Sequence, residues 1–355
     1  MLYRESGQFK TSYAADQAIF PIPQDRWGIV ALLLIAFVII PLTASDYWLS
    51  AILTPFLILS LAALGLNILT GYCGQLSLGS AAFMAVGAFA AYNLELRLPA
   101  VPLLLNFMLA GIIAAGVGIV FGLPSLRIKG FYLAVATLAA QFFIEWALIK
   151  FPWFSNYSAS GVINAQKMII LGYAFETPVS KYLLVLAIVA LLALLAKNMV
   201  RSATGRAWMA VRDMDVAAEV IGISIIKTKL LAFAISSFYC GVAGALWAFA
   251  YLGTVDAQAF DLNRSFQILF MIIIGGVGSI LGSFIGAAFI VLLPIFLNLF
   301  AHTLFGDAIR PDLISNLELI VFGGLIIFFL IVEPLGLARL WQIAKEKLRL
   351  WPFPH

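Results

Sequence analysis

Side chains that could perform chemistry are scarce in this sequence, and their spacing does not build a catalytic centre. His302 and His355 are its two histidines, and neither has another ligand-type residue at metal-binding spacing. The phosphate-loop pattern G-x-x-x-x-G-K-S/T does not occur, so the chain lacks that means of binding and hydrolysing ATP. We therefore expect no catalytic residue, no metal ion and no bound cofactor, and the sequence argues against an enzyme.

Carboxylates beside apolar segments form the second group with reactive potential. Glu145, Glu318 and Glu333 each fall near the end of an apolar stretch. A carboxylate that carries a coupling ion across a membrane lies deep inside it, where a buried charge is costly and is retained for function. The terminal positions of these three residues favour ordinary interfacial carboxylates instead. An ion-coupled secondary transporter of small organic solutes is therefore kept as an alternative only.

A glycine-rich break interrupts an apolar run at residues 71–79. Its sequence, GYCGQLSLG, brings together Gly74, Gln75, Ser77 and Gly79. Irregular backbone at membrane depth is tolerated only where protein or a water-filled cavity satisfies its polar groups. The break is therefore a candidate lining of a solute pathway. The alternative is an ordinary cytoplasmic turn between two helices, with Gln75 and Ser77 capping the second helix.

Another set of glycines has the spacing of a helix-packing surface. Gly278, Gly282 and Gly286 recur at every fourth position, which places them on one face of a helix. Because glycine has no side chain, such a face lets a second helix approach closely. We predict that these three residues pack one helix against another.

The longest polar segment between apolar runs spans residues 197–229. From Trp208 onward its apolar residues follow three- and four-residue steps, which predicts one short amphipathic helix. The apolar positions are Trp208, Val211, Met214, Ala218, Ile221 and Ile225. The polar side carries charges of both signs, which suits anionic lipid head groups poorly. We interpret the helix as a docking element for another protein.

Long apolar runs make up most of the remaining sequence, of which 63% is hydrophobic and 11% charged. A membrane hydrocarbon core takes about 20 apolar residues as helix. Ten candidate transmembrane segments follow at residues 27–43, 48–70, 76–94, 101–123, 130–148, 179–196, 229–252, 265–277, 279–300 and 314–332. The predicted fold class is an all-α polytopic membrane protein with about ten transmembrane helices, of which the eighth is short and irregular.

The lysines and arginines orient these segments. If the N-terminus is cytoplasmic and all ten segments cross, 15 of the 21 basic residues fall on the cytoplasmic side. This bias follows the positive-inside rule, so we expect both termini in the cytoplasm. The predicted organisation is a cytoplasmic tail at 1–26, a single transmembrane domain at 27–332 and a basic cytoplasmic tail at 333–355. The transmembrane domain includes a cytoplasmic loop at 197–229 and a periplasmic loop at 149–178.

Six segments carry motifs of a known family. They read ALGLNILTGYCGQLSLGSAAFMAVGAF (63–89), LPSLRIKGFYLAVATLA (123–139), SATGRAWMAVRDMDVAAEVIGI (202–223), GVAGALWA (241–248), IIIGGVGSILGSFIGAAF (272–289) and EPLGL (333–337). In this order they resemble the LivM-type permease subunits of ATP-driven branched-chain amino acid importers. The resemblance covers most of the chain from about Ala62 to Leu335, and several segments in sequence are far more specific than any one of them.

The resemblance implies the permease fold of ATP-binding-cassette (ABC) importers in a bacterial inner membrane. The implied partners are a homologous permease of the LivH type, two ATP-binding subunits that hold Mg-ATP, a periplasmic substrate-binding protein and the lipid bilayer. Residues that match the family's ATPase-docking motif are Arg206, Arg212, Asp213, Ala217, Ala218 and Gly222. The implied solute is a branched-chain amino acid or a similar small solute such as urea, an amide or an aromatic acid. Cytoplasmic loops explain the net charge of +4, so we expect no nucleic acid partner.

Overall fold

The fold is known from a computed structural model of the chain. It describes residues 12, 23–126, 130–158, 161–166, 168–170, 173–305, 320–321, 323–325, 327–329, 331–333 and 335–350. Helices account for most of these residues. The predicted boundary at residue 26 falls inside the first helix, which begins at Pro23.

Three helices change between α and π geometry along their length, and each of them runs without a gap. Helix α1 comprises Pro23–Leu34, Ile35–Ile39 and Ile40–Thr43, helix α2 comprises Trp48–Leu53, Thr54–Asn67 and Ile68–Tyr72, and helix α9 comprises Ile225–Leu246 and Trp247–Leu252. The other helices are α3 (Ser80–Arg97), α4 (Leu103–Gly122), α5 (Phe131–Lys150), α6 (Pro178–Arg201), α7 (Ala203–Asp213), α8 (Asp215–Val220), α10 (Leu262–Gly275), α11 (Ile280–Phe305) and α12 (Gly336–Leu350). Short 3-10 helices lie at Leu123–Leu126 and Ala257–Phe260.

Seven helices within the described residues are long and apolar enough to cross a membrane, judged by length and composition. They are Arg26–Thr43, Trp48–Tyr72, Leu103–Gly122, Tyr132–Lys150, Pro178–Arg201, Ile225–Leu252 and Ile280–Leu299. Of the other predicted segments, 76–94 corresponds to α3 and 265–277 to the 14-residue α10, while 314–332 lies partly outside the described residues. A polytopic helical membrane protein is confirmed, and the count of ten stays a prediction.

Helix α9 lies at the centre of the bundle and packs against α2, α3 and α4. Its contact with α3 depends on glycine. Gly87 of α3 faces Gly241 of α9, and Gly244 of α9 faces Met84 of α3; a Cβ atom at Gly87 or Gly244 would overlap the facing backbone. This close approach is how small residues bring membrane helices together, and it explains why the less apolar α3 is buried inside the bundle.

The loops at one end of the bundle contain short strands, so the prediction of a purely helical fold is corrected there. Strand β1 (Ile163–Asn164) pairs antiparallel with β4 (Thr254–Val255), and β2 (Ile169–Ile170) pairs antiparallel with β3 (Tyr173–Ala174). The first pair ties the loop between α5 and α6 to the loop that follows α9. Backbone pairing of this kind satisfies polar groups that neither loop could satisfy alone.

Candidate functional site

The predicted docking element is a pair of short helices, which we call the coupling loop (residues 202–224). The prediction of one continuous amphipathic helix is wrong, because Met214 adopts an extended backbone conformation (φ −157°, ψ 94°) between α7 and α8. Asp215 then opens α8, where a carboxylate in the first turn is favoured by the helix dipole. Because the axis breaks at Met214, the apolar stripe read from the sequence does not continue along one face.

A buried tryptophan anchors the coupling loop to the helix bundle. Trp208 of α7 is fully buried, and its indole N–H donates to the backbone oxygen of Thr228 near the start of α9 at 3.1 Å. Val211, one turn further along α7, is buried beside it in the same helix. The first half of the loop is therefore fixed to the bundle, so a force applied to it reaches the transmembrane helices.

The six predicted docking residues separate into exposed and buried positions. The exposed ones are Arg206, Arg212, Asp213, Ala217 and Gly222. Ala218 is only 2% exposed and packs inside the chain, so the expectation that it faces a partner is corrected. Its burial agrees with the apolar stripe read from the sequence, and its neighbour Ala217 faces outward instead.

Gly222 has a local structural role at the end of α8. Its φ of +90° lies in the left-handed region that glycine adopts without strain. The following N–H, of Ile223, donates to the backbone oxygen of Ala218 at 2.9 Å, as in a Schellman motif. The residue therefore ends the helix and returns the chain toward α9.

An exposed apolar surface covers the second half of the coupling loop. We call it the docking patch, and it consists of Met214, Val216, Val220 and Ile221, all strongly exposed. Sequence periodicity placed Met214 and Ile221 on the buried stripe, whereas the break at Met214 turns them outward. Several exposed apolar side chains close together in the chain, with charged neighbours such as Arg212 and Asp213, are typical of a protein interface.

Arg212 joins the coupling loop directly to the glycine break. One guanidinium nitrogen, Nη1, donates to the backbone oxygen of Gly71 at 2.9 Å, while Nε donates to the carboxylate of Asp213 at 2.8 Å. Gly74 has a φ of +71°, and a Cβ atom there would lie 2.8 Å from Cγ of Arg212. A predicted docking residue and a predicted pathway residue are thus in contact.

Asn67 connects the glycine break to a second break between α10 and α11. Its amide nitrogen donates to the backbone oxygens of Gly276 at 3.4 Å and Ser279 at 2.8 Å and to Oγ of Ser283 at 2.9 Å. Its Oδ1 accepts from the N–H of Gly278 at 2.8 Å. One fully buried side chain therefore binds the irregular backbone and its flank, with its two N–H donors shared among three acceptors.

The three predicted packing glycines act at two different contacts. Gly282 and Gly286 lie in α11 and face α10, where a Cβ atom at Gly286 would overlap the backbone oxygen of Met271. Gly278 precedes α11, with a φ of +79°, and faces Gly71 instead of α10. The shared-face prediction therefore applies to Gly282 and Gly286, and Gly278 is corrected to a loop position.

The glycine break leads to the start of α3, and polar side chains of other helices hold it there. Three hydrogen bonds connect the backbone N–H of Leu78 to Oγ1 of Thr137 (2.9 Å), of Ala81 to Oγ of Ser265 (2.9 Å) and of Ala82 to Oε1 of Gln141 (2.7 Å). Gln141 also accepts from Oγ of Ser265 at 3.0 Å and donates to the backbone oxygen of Phe260 at 2.8 Å. The first turns of α3 and α10 therefore meet at one buried polar cluster.

Three of the four predicted pathway residues are buried in this conformation, and Gly74 is exposed. Oγ of Ser77 accepts from the N–H of Gly79 at 3.3 Å. Both side-chain polar atoms of Gln75 are buried and lack a hydrogen-bond partner within the described part of the chain. Gln75 therefore does not cap α3, whose first N–H groups are bound by Ser265 and Gln141 instead.

Sequence reasoning missed Asn67, Gln141 and Ser265. Each lies within an apolar segment, and a polar side chain there needs a partner because lipid offers none. That rule would have selected all three. It would not have shown that Gln141 and Ser265 meet, since they are separated by two apolar segments and a long loop.

Comparison with known proteins identifies the family to which the chain is similar. Residues 48–330 match the family model described as the permease component of branched-chain amino acid transport systems. The high-affinity branched-chain amino acid transport permease LivM of Salmonella typhimurium is 28% identical over 309 residues, 81% of this chain and 69% of the relative.

Two further relatives carry the same name. LivM of Escherichia coli is also 28% identical over 309 residues, with the same coverage, and a probable LivM of Methanocaldococcus jannaschii is 26% identical over 66% of this chain and 68% of the relative. No solved structure matches the chain. Since the matched residues include both glycine breaks and the whole coupling loop, the chain belongs to the permease components of branched-chain amino acid transport systems.

Proposed function

We propose that this chain, a membrane permease subunit, moves a branched-chain amino acid or a related small solute into the cytoplasm when ATP-binding partner subunits move its coupling loop. The hydrogen bond between Arg212 and Gly71 carries the proposal, because it joins the loop that offers a docking patch to the backbone of the glycine break. Motion of the loop then reaches the break without an intervening flexible segment.

Two-state behaviour follows from how the break is held. Asn67, in α2 one turn before the break, is bound to the Gly276–Ser279 turn, and Arg212 fixes the break to α7. Tightly packed glycine contacts do not deform continuously, so a shift of α7 moves these segments as units between discrete arrangements. In the second arrangement Gln75 and Ser77 border the solute path, where water or solute satisfies the amide of Gln75.

The partners follow from the same assignment. A homologous second permease of the LivH type lies beside the chain, two ATP-binding subunits with Mg-ATP contact the docking patch, and a periplasmic binding protein delivers the solute to the opposite end. ATP is bound and hydrolysed by those subunits, so this chain is a transport subunit rather than an enzyme. The complex lies in the bacterial inner membrane.

Contacts at the coupling-loop end support the predicted topology. Gly71 lies in the last turn of α2 and Gly278 follows α10, and both lie against Arg212. Thr228, near the start of α9, contacts Trp208. If successive helices cross the membrane in alternating directions and α10 crosses it fully, these ends of α2, α9 and α10 lie on the same side of the membrane. The proposal puts that side, both termini and the coupling loop in the cytoplasm, and the loop between α5 and α6 in the periplasm.

Uptake into sealed vesicles distinguishes this function from an ion-coupled secondary transporter. With the binding protein outside and ATP inside, labelled leucine should accumulate after a protonophore has collapsed the proton gradient, and accumulation should stop when ATP is withdrawn. Vesicles without the chain provide the background. Uptake that follows the proton gradient and ignores ATP would replace the proposal with the secondary transporter.

A further inference from the structure

A cavity of about 530 Å³ with both charged and apolar walls lies at the start of α10, between α10, α11 and Gly323. Its lining includes Asp261, Asn263, Arg264, Phe266, Gln267, Phe270, Ile290 and Gly323. The volume falls in the range of roughly 300–1,000 Å³ that is typical of small-molecule sites. Charged groups form one part of the wall and apolar side chains the other.

Within the described residues, the positive charge in this cavity has unused hydrogen-bonding capacity. Nη1 of Arg264 donates to Oε1 of Gln267 at 2.6 Å, and the guanidinium lies 4.6 Å above the ring of Trp247. A guanidinium group has five N–H donors in a planar fork that fits a carboxylate. The stacking on Trp247 holds this fork in place while leaving several donors for a ligand.

The negative charge beside it also has acceptor positions that the described part of the chain leaves free. Oδ1 of Asp261 accepts from the backbone N–H of Arg264 at 3.0 Å, and Oδ2 accepts from the amide nitrogen of Asn263 at 2.8 Å. A carboxylate offers about four lone-pair positions, so each oxygen can accept another donor. Asp261 interacts electrostatically both with Glu145 of α5 and with Arg264. These three groups together carry one net negative charge, so a cation is favoured beside Asp261.

The cavity also connects to the glycine break. Ser265, the residue after Arg264, accepts from the N–H of Ala81 in the first turn of α3, directly after the break. The side chain of Gln141 holds both Ser265 and the backbone oxygen of Phe260, the residue before Asp261. Rigid contacts thus link the charged groups of the cavity to the candidate solute path.

We propose that this cavity binds the zwitterionic head of an amino acid during transport, with its carboxylate on Arg264, its ammonium on Asp261 and its apolar side chain against Phe266, Phe270 and Ile290. The proposal rests on the proposed transport function and adds a selecting site within the permease itself. Neutral solutes such as urea and simple amides lack the paired charges and bind poorly there.

A second cavity, of about 630 Å³, provides a matched comparison. It lies among α3, α4 and α5, and its lining includes Arg97, whose guanidinium stacks 3.6 Å above the ring of Trp153. Within the described residues its lining contains no carboxylate. Arg97 therefore reproduces the arginine and tryptophan of the first cavity without a partner for an ammonium group.

Equilibrium binding of labelled leucine to the purified complex in lipid nanodiscs, without the binding protein, tests the proposal. Unlabelled leucine should compete, whereas leucinamide and 4-methylpentanoate, which lack the carboxylate and the ammonium respectively, should not. Arg264→Gln should weaken leucine binding by about tenfold or more and remove the preference for leucine over leucinamide. Arg264→Lys should retain part of that preference, and Arg97→Gln should bind like the unaltered protein.

Three outcomes would overturn the proposal. The first is unchanged leucine binding by Arg264→Gln, and the second is an equal effect of Arg97→Gln. The third is competition by glycerophosphoethanolamine as strong as that by leucine, which would assign the cavity to a lipid head group. If the unaltered complex shows no ATP-driven leucine uptake, the proposed transport function is wrong. If uptake is intact and any of these three outcomes is observed, only the assignment of the cavity is wrong.

Discussion

Replacement of Val220 by glutamate should release the ATP-binding subunits from the complex and abolish ATP-driven uptake. Val220 is 82% exposed within this chain and belongs to the docking patch. Docking would bury its side chain, and a buried unpaired carboxylate costs several kcal/mol, so association should weaken by about a hundredfold. The measurement is the amount of ATP-binding subunit that co-purifies with the chain, together with leucine uptake by the same preparation.

Ile169→Glu is the matched control for this variant. Ile169 is an exposed apolar residue of strand β2, in the loop between α5 and α6, so the substitution adds the same charge at the opposite end of the bundle. It should leave the ATP-binding subunits attached. Ala218→Trp is unsuitable for this purpose, because Ala218 is buried and a larger side chain would disrupt the loop itself. Normal co-purification and uptake with Val220→Glu would mean that the docking patch does not bind the ATP-binding subunits.

Asn67→Asp should destabilise the whole permease while preserving side-chain volume. The aspartate oxygen that replaces the amide nitrogen would face the backbone oxygens of Gly276 and Ser279, so donation to acceptors becomes repulsion between acceptors. Loss of such buried hydrogen bonds costs about 1–3 kcal/mol each, and the total should be roughly 3 kcal/mol or more. The temperature at which the detergent-solubilised protein loses its monodisperse elution should fall by several degrees.

Asn198→Asp makes the same chemical change at an exposed position near the end of α6 and should leave that temperature unchanged. The pair of variants separates the hydrogen bonds of Asn67 from a general effect of added negative charge. Equal stability of the two variants would mean that the two glycine breaks are held together by packing alone, without a contribution from the side chain of Asn67.

The helical membrane architecture could be read from the sequence because its signal is local. Apolar runs of about 20 residues are required by the thickness of the bilayer, and most such runs became helices close to their predicted bounds. Helix α10, at 14 residues, is shorter than these runs. Its place in the bundle depends on Ser265 and on the glycines of its far end, so it could not be inferred from length.

The candidate site was predictable only in part, since its decisive contacts are long-range. Spacing selected Gly74 and Arg212 separately, but nothing local indicates that residues 138 positions apart touch. Periodicity also failed at Met214, whose extended conformation leaves Met214 and Ile221 exposed while Ala218 of the same predicted stripe stays buried. Asn67 illustrates a third limit. A polar residue in an apolar run indicates that it has a hydrogen-bond partner, but the sequence does not identify that partner.

Thiol labelling of Ser77→Cys tests the central claim most directly, namely that movement of the coupling loop opens the glycine break. The native Cys73 is replaced first, and cysteines at the buried Ser60 and the exposed Ser224 provide the unreactive and reactive limits. Ser77 is only 2% exposed in this conformation, so a water-soluble reagent should modify its cysteine slowly in the resting complex. We expect a severalfold change in that rate when ATP is trapped in the complex, and a negligible rate in every nucleotide state would contradict the claim.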